Sequence, residues 1–186
     1  MPSYVNGVRA NCYGDVSVLG GDHYMPINVS SSDPVWTADK STLSEMVGVP
    51  VRIRKYPPHP VWRDSRQGDV FENQYITLLF RAMDPEQDDF SFAPLSYLAF
   101  GSALVVRDDG KDITPQQVEA LCYYSSHHTT LMFHDALWHR DDTGSNDKML
   151  EMVALFTPQK FGAFFAEFKA KKMEQGASWE SAVSPV

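Results

Sequence analysis

Hydrophobic positions change their period once along the chain. Before Ile113 the apolar pieces are short and either alternate with polar residues or run unbroken, and after it they recur at the 3.6-residue spacing of helix. Among the short pieces, Val16-Ser17-Val18-Leu19 ahead of Gly20-Gly21 is a strand candidate. Val51-Arg52-Ile53-Arg54 alternates apolar with basic, as a strand with one wet or ligand-facing side does. The run QYITLLFRAM (74–83), apolar on both faces apart from Thr77 and Arg81, predicts a central strand ended by Asp84-Pro85. YLAFGSALVVRD (97–108) predicts another, closed by Asp108-Asp109-Gly110, with Gly101 marking a bulge or a close backbone approach. Thr42 and Glu45 have capping-box spacing and predict one helical turn over 43–47. Residues 56–73, led by Tyr56-Pro57-Pro58-His59-Pro60, read as a loop long enough to serve as a lid, and they carry Trp62, Arg63, Arg66 and Phe71.

Thr114-Pro115-Gln116-Gln117 combines an N-cap threonine, a proline at the first helical position and a glutamine at the capping-box position. The helix it opens, 115–139, marks one face with Val118, Leu121, Cys122 and Ser125 and resumes through Leu131, His134 and Trp138, with a break expected at Ser125-Ser126 or Thr129-Thr130. A short helix follows at 147–156. Thr157-Pro158 opens a last one, 158–175, whose Phe161, Phe164, Phe165 and Phe168 form a stripe suited to a core or a dimer seam, with Gly176 as its cap. Residues 177–186 read as a tail, mobile or docked on a partner. Strands first and helices afterwards predict an α+β fold: an antiparallel or mixed sheet from residues 15–107 with the helices 115–139, 147–156 and 158–175 packed on it, in a single domain 1–186.

Charge and composition remove several function classes. Sixteen Lys and Arg against 24 Asp and Glu leave a formal charge of −8, the wrong sign for holding a phosphate backbone, so nucleic acid is not expected as a partner. No basic leader precedes an apolar run and no window of 18 apolar residues occurs, so neither a signal peptide nor a membrane span is expected. Cys12 and Cys122 are too few for a disulfide framework or a four-thiolate zinc site, which points to a reduced, cytoplasmic setting. Nucleophile elbows of the GxSxG kind and phosphate loops are lacking, and Cys122 falls on an apolar helix face as a structural thiol does.

Histidine is the outlier. Four of the six, His127, His128, His134 and His139, lie within 13 positions, beside Asp135, Trp138, Arg140, Asp141 and Asp142. On a helix Asp135 and His139 share a face, the arrangement of a two-ligand metal clamp, of a carboxylate orienting an imidazole, or of a plain exposed ion pair. A hard cation such as Mg²⁺ or Ca²⁺ could also use Asp141, Asp142 and backbone oxygens. Tyr24, Trp36, Trp62, Tyr123, Tyr124 and Trp138 add aromatic plates with polar handles, suited to a flat ligand, a subunit interface or ordinary packing. Arg52, Arg54 and Arg81 fall on expected strands, where inward arginines require an anionic partner and outward ones do not.

NQYITLLFRAMDP (73–85) and FAPLSYLAFGSALVVRDDGKDITPQQVEALCYY (92–124) resemble a domain that accompanies MYND-type zinc fingers in fungal proteins, where a comparable stretch from valine-rich strand to Ala-Leu-Cys-x-Tyr helix occurs. The resemblance covers about a third of the chain, and two cysteines cannot build the finger, so recognition through it does not carry over. More loosely, the chain is similar in size and aromatic character to fungal pink chromoproteins. That resemblance implies a homodimer holding an indolone-type chromophore with a divalent cation nearby, in colour or storage and not in turnover.

The expectation is therefore a non-catalytic, homodimeric protein that encloses an aromatic or conjugated small molecule with His127, His128, His134 and Trp138, together with Trp62 from the loop, and with Asp135 and His139 as ligands for Mg²⁺ or Ca²⁺. A metal-dependent enzyme using His134 or His139 as base, oriented by Asp135, is the alternative. A protein-interaction module working through its acidic surface and tail is a second.

Overall fold

The computed structural model describes residues 3–11, 23–55, 73, 76, 79, 101–138 and 154–175, of which 129–138 are described by their backbone alone. The fold is α+β. Strands β1 (Tyr4–Ala10), β2 (Tyr24–Ser30), β3 (Val51–Lys55) and β4 (Ala103–Arg107) form a sheet in the order β2-β1-β4-β3, antiparallel throughout. Helices α1 (Thr42–Met46), α2 (Pro115–Trp138) and α3 (Pro158–Glu174) accompany it, with a 3₁₀ turn at Pro34–Thr37.

Alternation along the strands sorts side chains onto two faces. Val8, Ala10, Val51, Ile53, Ala103 and Val105 point to the side where Leu43, Val118, Leu121, Cys122, Phe156 and Phe161 complete the main core. Val29, Leu104 and Val106 point the other way and are closed off by Val35 and by Trp36, whose indole N–H donates to Ser30 O at 2.8 Å. The two outermost cores thus sandwich one sheet, with helices on one face and a short turn on the other.

The sheet begins earlier than residue 15. Gly7 stands within β1, where neighbouring strands press on it: a Cβ would stand 2.7 Å from Val29 Cγ2 and 3.0 Å from Val105 O. Pro26 argues against a strand until its place is known. Asn11 N–H donates to His23 O and Ser31 N–H to Ser3 O, so odd-numbered β2 residues face β1 with their amides and Pro26, paired with Val8, faces away. The candidate strand Val16–Leu19 lies outside the described residues.

Two further expectations are corrected. In 74–83 the described positions, Ile76 and Leu79, are helical and wholly buried, not extended. Asn73 Oδ1 accepts from Ile76 N–H at 3.3 Å as a helix cap does, and a run apolar on both sides suits a buried helix as well as a central strand. Of the strand expected over 97–108, Ala103–Arg107 is extended as β4, Gly101 just ahead of it bends the chain with φ 69°, and 97–100 lie outside the described residues. Helix α1 is capped by Ser41, one residue before Thr42: Ser41 Oγ accepts from Ser44 N–H at 3.2 Å and donates to Leu79 O.

Beside β3 and β4 lies a flank of paired charges. Arg54 grips Asp33 with two bonds of 2.7 Å, Arg107 grips Asp109 at 2.9 and 2.7 Å, and Asp108 receives Arg52 together with Lys40 at 2.8 Å. Asp33 also caps the 3₁₀ turn through Val35 N–H at 2.8 Å. Arg52 and Arg54 thus find their anions within the chain; Arg81 lies outside the described residues.

Helix α2 starts as its sequence requires. Thr114 Oγ1 accepts from Gln117 N–H at 3.2 Å while Gln117 Oε1 accepts from Thr114 N–H at 2.9 Å, the two bonds of a capping box. It then runs to Trp138 without the break expected at Ser125-Ser126 or Thr129-Thr130. Of 147–156, Ala154 and Leu155 are helical and Phe156 is a buried bend after them, while 147–153 lie outside the described residues along with Gly176 and the tail 177–186. Helix α3 is capped by Thr157, which accepts from Lys160 N–H at 3.3 Å, and ends at Gln175.

Candidate functional site

The i, i+4 spacing of α2 places Tyr123 above His127 and Tyr124 above His128, and these pairs head two neighbouring columns of rings where α2 meets α3. The inner column is closed. Tyr124 is 3% exposed, meets the His128 ring edge-on at 4.4 Å and donates its hydroxyl to Leu155 O at 2.5 Å. Phe156, buried just ahead of the α3 cap, stands edge-on to both, 5.6 Å from Tyr124 and 6.0 Å from His128. From α3, Phe161 and Phe164 reach Tyr124 at 5.4 and 4.9 Å.

The outer column opens to water. Tyr123, 53% exposed, lies nearly parallel to His127 (6.3 Å, 6°) and to Phe164 (6.0 Å, 11°), and is tilted on Phe168 at 6.0 Å. Lys172 sits over the Phe168 ring at 5.5 Å and is tied to Glu119 of α2 at 2.7 Å, which fastens the far end of α3. The stripe of phenylalanines therefore packs within the chain, against the same helix that carries the histidines.

Burial first, and the neighbouring His127 charge second, hold the His128 imidazole below the ordinary histidine value of 6.5. Burial likewise raises the Tyr124 phenol. Cys122, two residues before Tyr124, is fully buried, and its thiol is pushed up to about 12 despite a hydrogen bond with Tyr24. It is a neutral thiol at pH 7 and no nucleophile.

Of the residues expected to bind a ligand, His127 and His128 meet at 5.2 Å. His134, Asp135 and Trp138 stand farther along α2, where the backbone alone is described, His134 and Asp135 each seven residues beyond a histidine. Trp62 and His139 lie outside the described residues. Among the described residues no group of three or more His, Cys, Asp or Glu gathers to hold a metal ion; the expected pair Asp135 and His139 is not in that set. No described helix is long and apolar enough to cross a membrane.

The α3 phenylalanines are the part of this site that sequence reasoning left to the core. The signal was present: two i, i+4 aromatic pairs on α2 and an aromatic stripe of matching length on α3 are complementary surfaces. Chemically the joint offers plates to stack against, two phenols and two imidazoles, with no activated nucleophile among its described members. Comparison with known proteins finds no family model that matches the chain, and no matching curated protein or solved structure.

Proposed function

We propose that the chain is a non-catalytic small-molecule-binding protein, of the chromoprotein kind, whose ligand is a flat aromatic or conjugated molecule held at the His127 end of the α2–α3 joint. The observation that carries this reading is the outer ring column: three nearly parallel plates, Phe164, Tyr123 and His127, with the middle one half open to water. Such a row lets a conjugated ring stack without unpairing any buried polar group, while His127 supplies a hydrogen-bonding edge. The buried, protonated Cys122 supports binding over covalent turnover. The homodimer belongs to the same proposal, with Tyr123 and Met173 leaving apolar surface for a second copy, and sedimentation velocity decides it.

The test is the absorption spectrum and native mass of protein isolated from its natural source. A band beyond the absorption of Trp and Tyr, with a copurifying small molecule that is lost in Tyr123→Ala, supports the reading. Protein with no such band and the mass of the bare chain sinks it.

A further inference from the structure

His128 occupies a place where a proton is mechanically awkward. Its ring is half-buried and wedged edge-on between Tyr124 at 4.4 Å and Phe156 at 6.0 Å, and these same two residues anchor the entry of α3. Tyr124 does so through its bond to Leu155 O, and Phe156 by filling the core immediately before the Thr157 cap. We propose that His128 is a proton-operated latch: neutral, it packs as an aromatic wedge that keeps α3 docked on α2, and protonated, it loosens that docking and uncovers the Phe161–Phe164–Phe165 stripe.

Its described neighbours are few. On α2 its described titratable neighbours are His127, at 5.2 Å, and the Tyr124 phenol, already engaged as a donor. The described segment 154–157 ahead of α3 is Ala-Leu-Phe-Thr and brings no charge. Helix α3 turns Phe161 and Phe164 toward Tyr124, and the cation it sends to α2, Lys172, is held by Glu119. The described surroundings thus offer an imidazolium repulsion from His127 and no described carboxylate to offset its lost hydration. The depressed affinity of folded His128 for its proton means that the unfolded joint binds more protons below 6.5. Docking is therefore full above that value and weakens as pH falls toward the folded-state midpoint, by about tenfold in the opening equilibrium for each unit of depression.

The experiment is NMR on the full chain, following the His128 ring carbon-bound protons and the amide-exchange protection of 158–174, corrected for intrinsic pH dependence, from neutral to mildly acid solution. A His128 midpoint below 6.5 with protection of α3 falling in the same window, and a flat profile in His128→Phe, supports the latch. Protection that does not change through the His128 titration, or that falls equally in His128→Phe, overturns it. If His128→Phe does not fold, His128→Gln, neutral throughout, takes its place with the same two outcomes.

Discussion

The charged flank beside β3 and β4 and the aromatic joint between α2 and α3 solve the same problem by opposite means. In the flank, each described aspartate that faces an arginine is gripped by it, so that Arg54, Arg52 and Arg107 satisfy Asp33, Asp108 and Asp109 with little left to offer a ligand. In the joint, cohesion comes from ring contacts that have no fixed stoichiometry, and the outermost ring, Tyr123, stays half in water. A saturated network holds shape; an unsaturated stack holds shape and still has a face free. Of the arginines that fall on strands, Arg52 and Arg54 meet carboxylates of this same chain, so the flank closes on itself.

The contrast breaks most readily at Phe156. Phe156→Ala removes the ring that packs edge-on against both Tyr124 and His128 and is expected to cost about 3 to 5 kcal/mol, read by denaturant unfolding. A loss below about 1 kcal/mol would mean that the joint collapses freely and is no rigid platform. In the flank, Arg54→Ala leaves Asp33 without its bidentate partner; with both side chains about a fifth exposed, roughly 1 to 3 kcal/mol is expected. Acid gives the flank its own signature. Arg54 and Lys40 hold Asp33 and Asp108 below the usual carboxylate value, and Arg107 holds Asp109 at about 2 against 3.8. Pairs of this sign contribute stability above 3.8 that is lost as pH falls toward about 2. Exchange protection in Val51–Lys55 should therefore persist at pH values where protonated His128 has already loosened α3; simultaneous loss would show one cooperative unit in place of two.

Smaller effects sharpen the comparison. Thr114→Ala removes one bond of the α2 capping box and should cost about 0.5 to 2 kcal/mol, with Thr114→Ser restoring most of it in the same unfolding assay. Tyr123→Ala should change stability least, by roughly 0.5 to 1 kcal/mol, since half the ring is already in water, while abolishing any visible absorption of the native protein. A large stability loss there with an unchanged spectrum would assign Tyr123 to structure and move the ligand elsewhere on α2.

Where a sequence signal rests on local chemistry it was legible. The start of α2, with Thr114 and Gln117 exchanging bonds, and the phenylalanine period of α3 follow from residues within one or two turns. What the sequence hid depends on distant partners. The place of Gly7 in β1 depends on Val29 and Val105 pressing on it, and in QYITLLFRAM, equally apolar as strand or buried helix, the described Ile76 and Leu79 are helical with Asn73 accepting from Ile76 N–H. For the site, His127 and His128 were visible as an outlying cluster, but that α3 would lay its rings against them is a tertiary fact no spacing within α2 contains. Trp62 and His139, also expected from the sequence, lie outside the described residues.

Crowded solutions put a different demand on the same fold. A sheet whose outer strands offer unbroken rows of amides and carbonyls can recruit strands from other molecules and grow without limit, toward fibres. Beyond β3 the row is already occupied, since Ser41 N–H donates to Val51 O and Ile53 N–H to Asp39 O. On β2, the other outer strand of the described sheet, Pro26 removes the middle amide at a position that faces away from β1. Within the chain this imino acid sacrifices no bond, and between chains it leaves a gap in the middle of any templated pairing. Pro26→Val would restore that donor, and with it a route from the folded protein to a fibril that the natural residue interrupts.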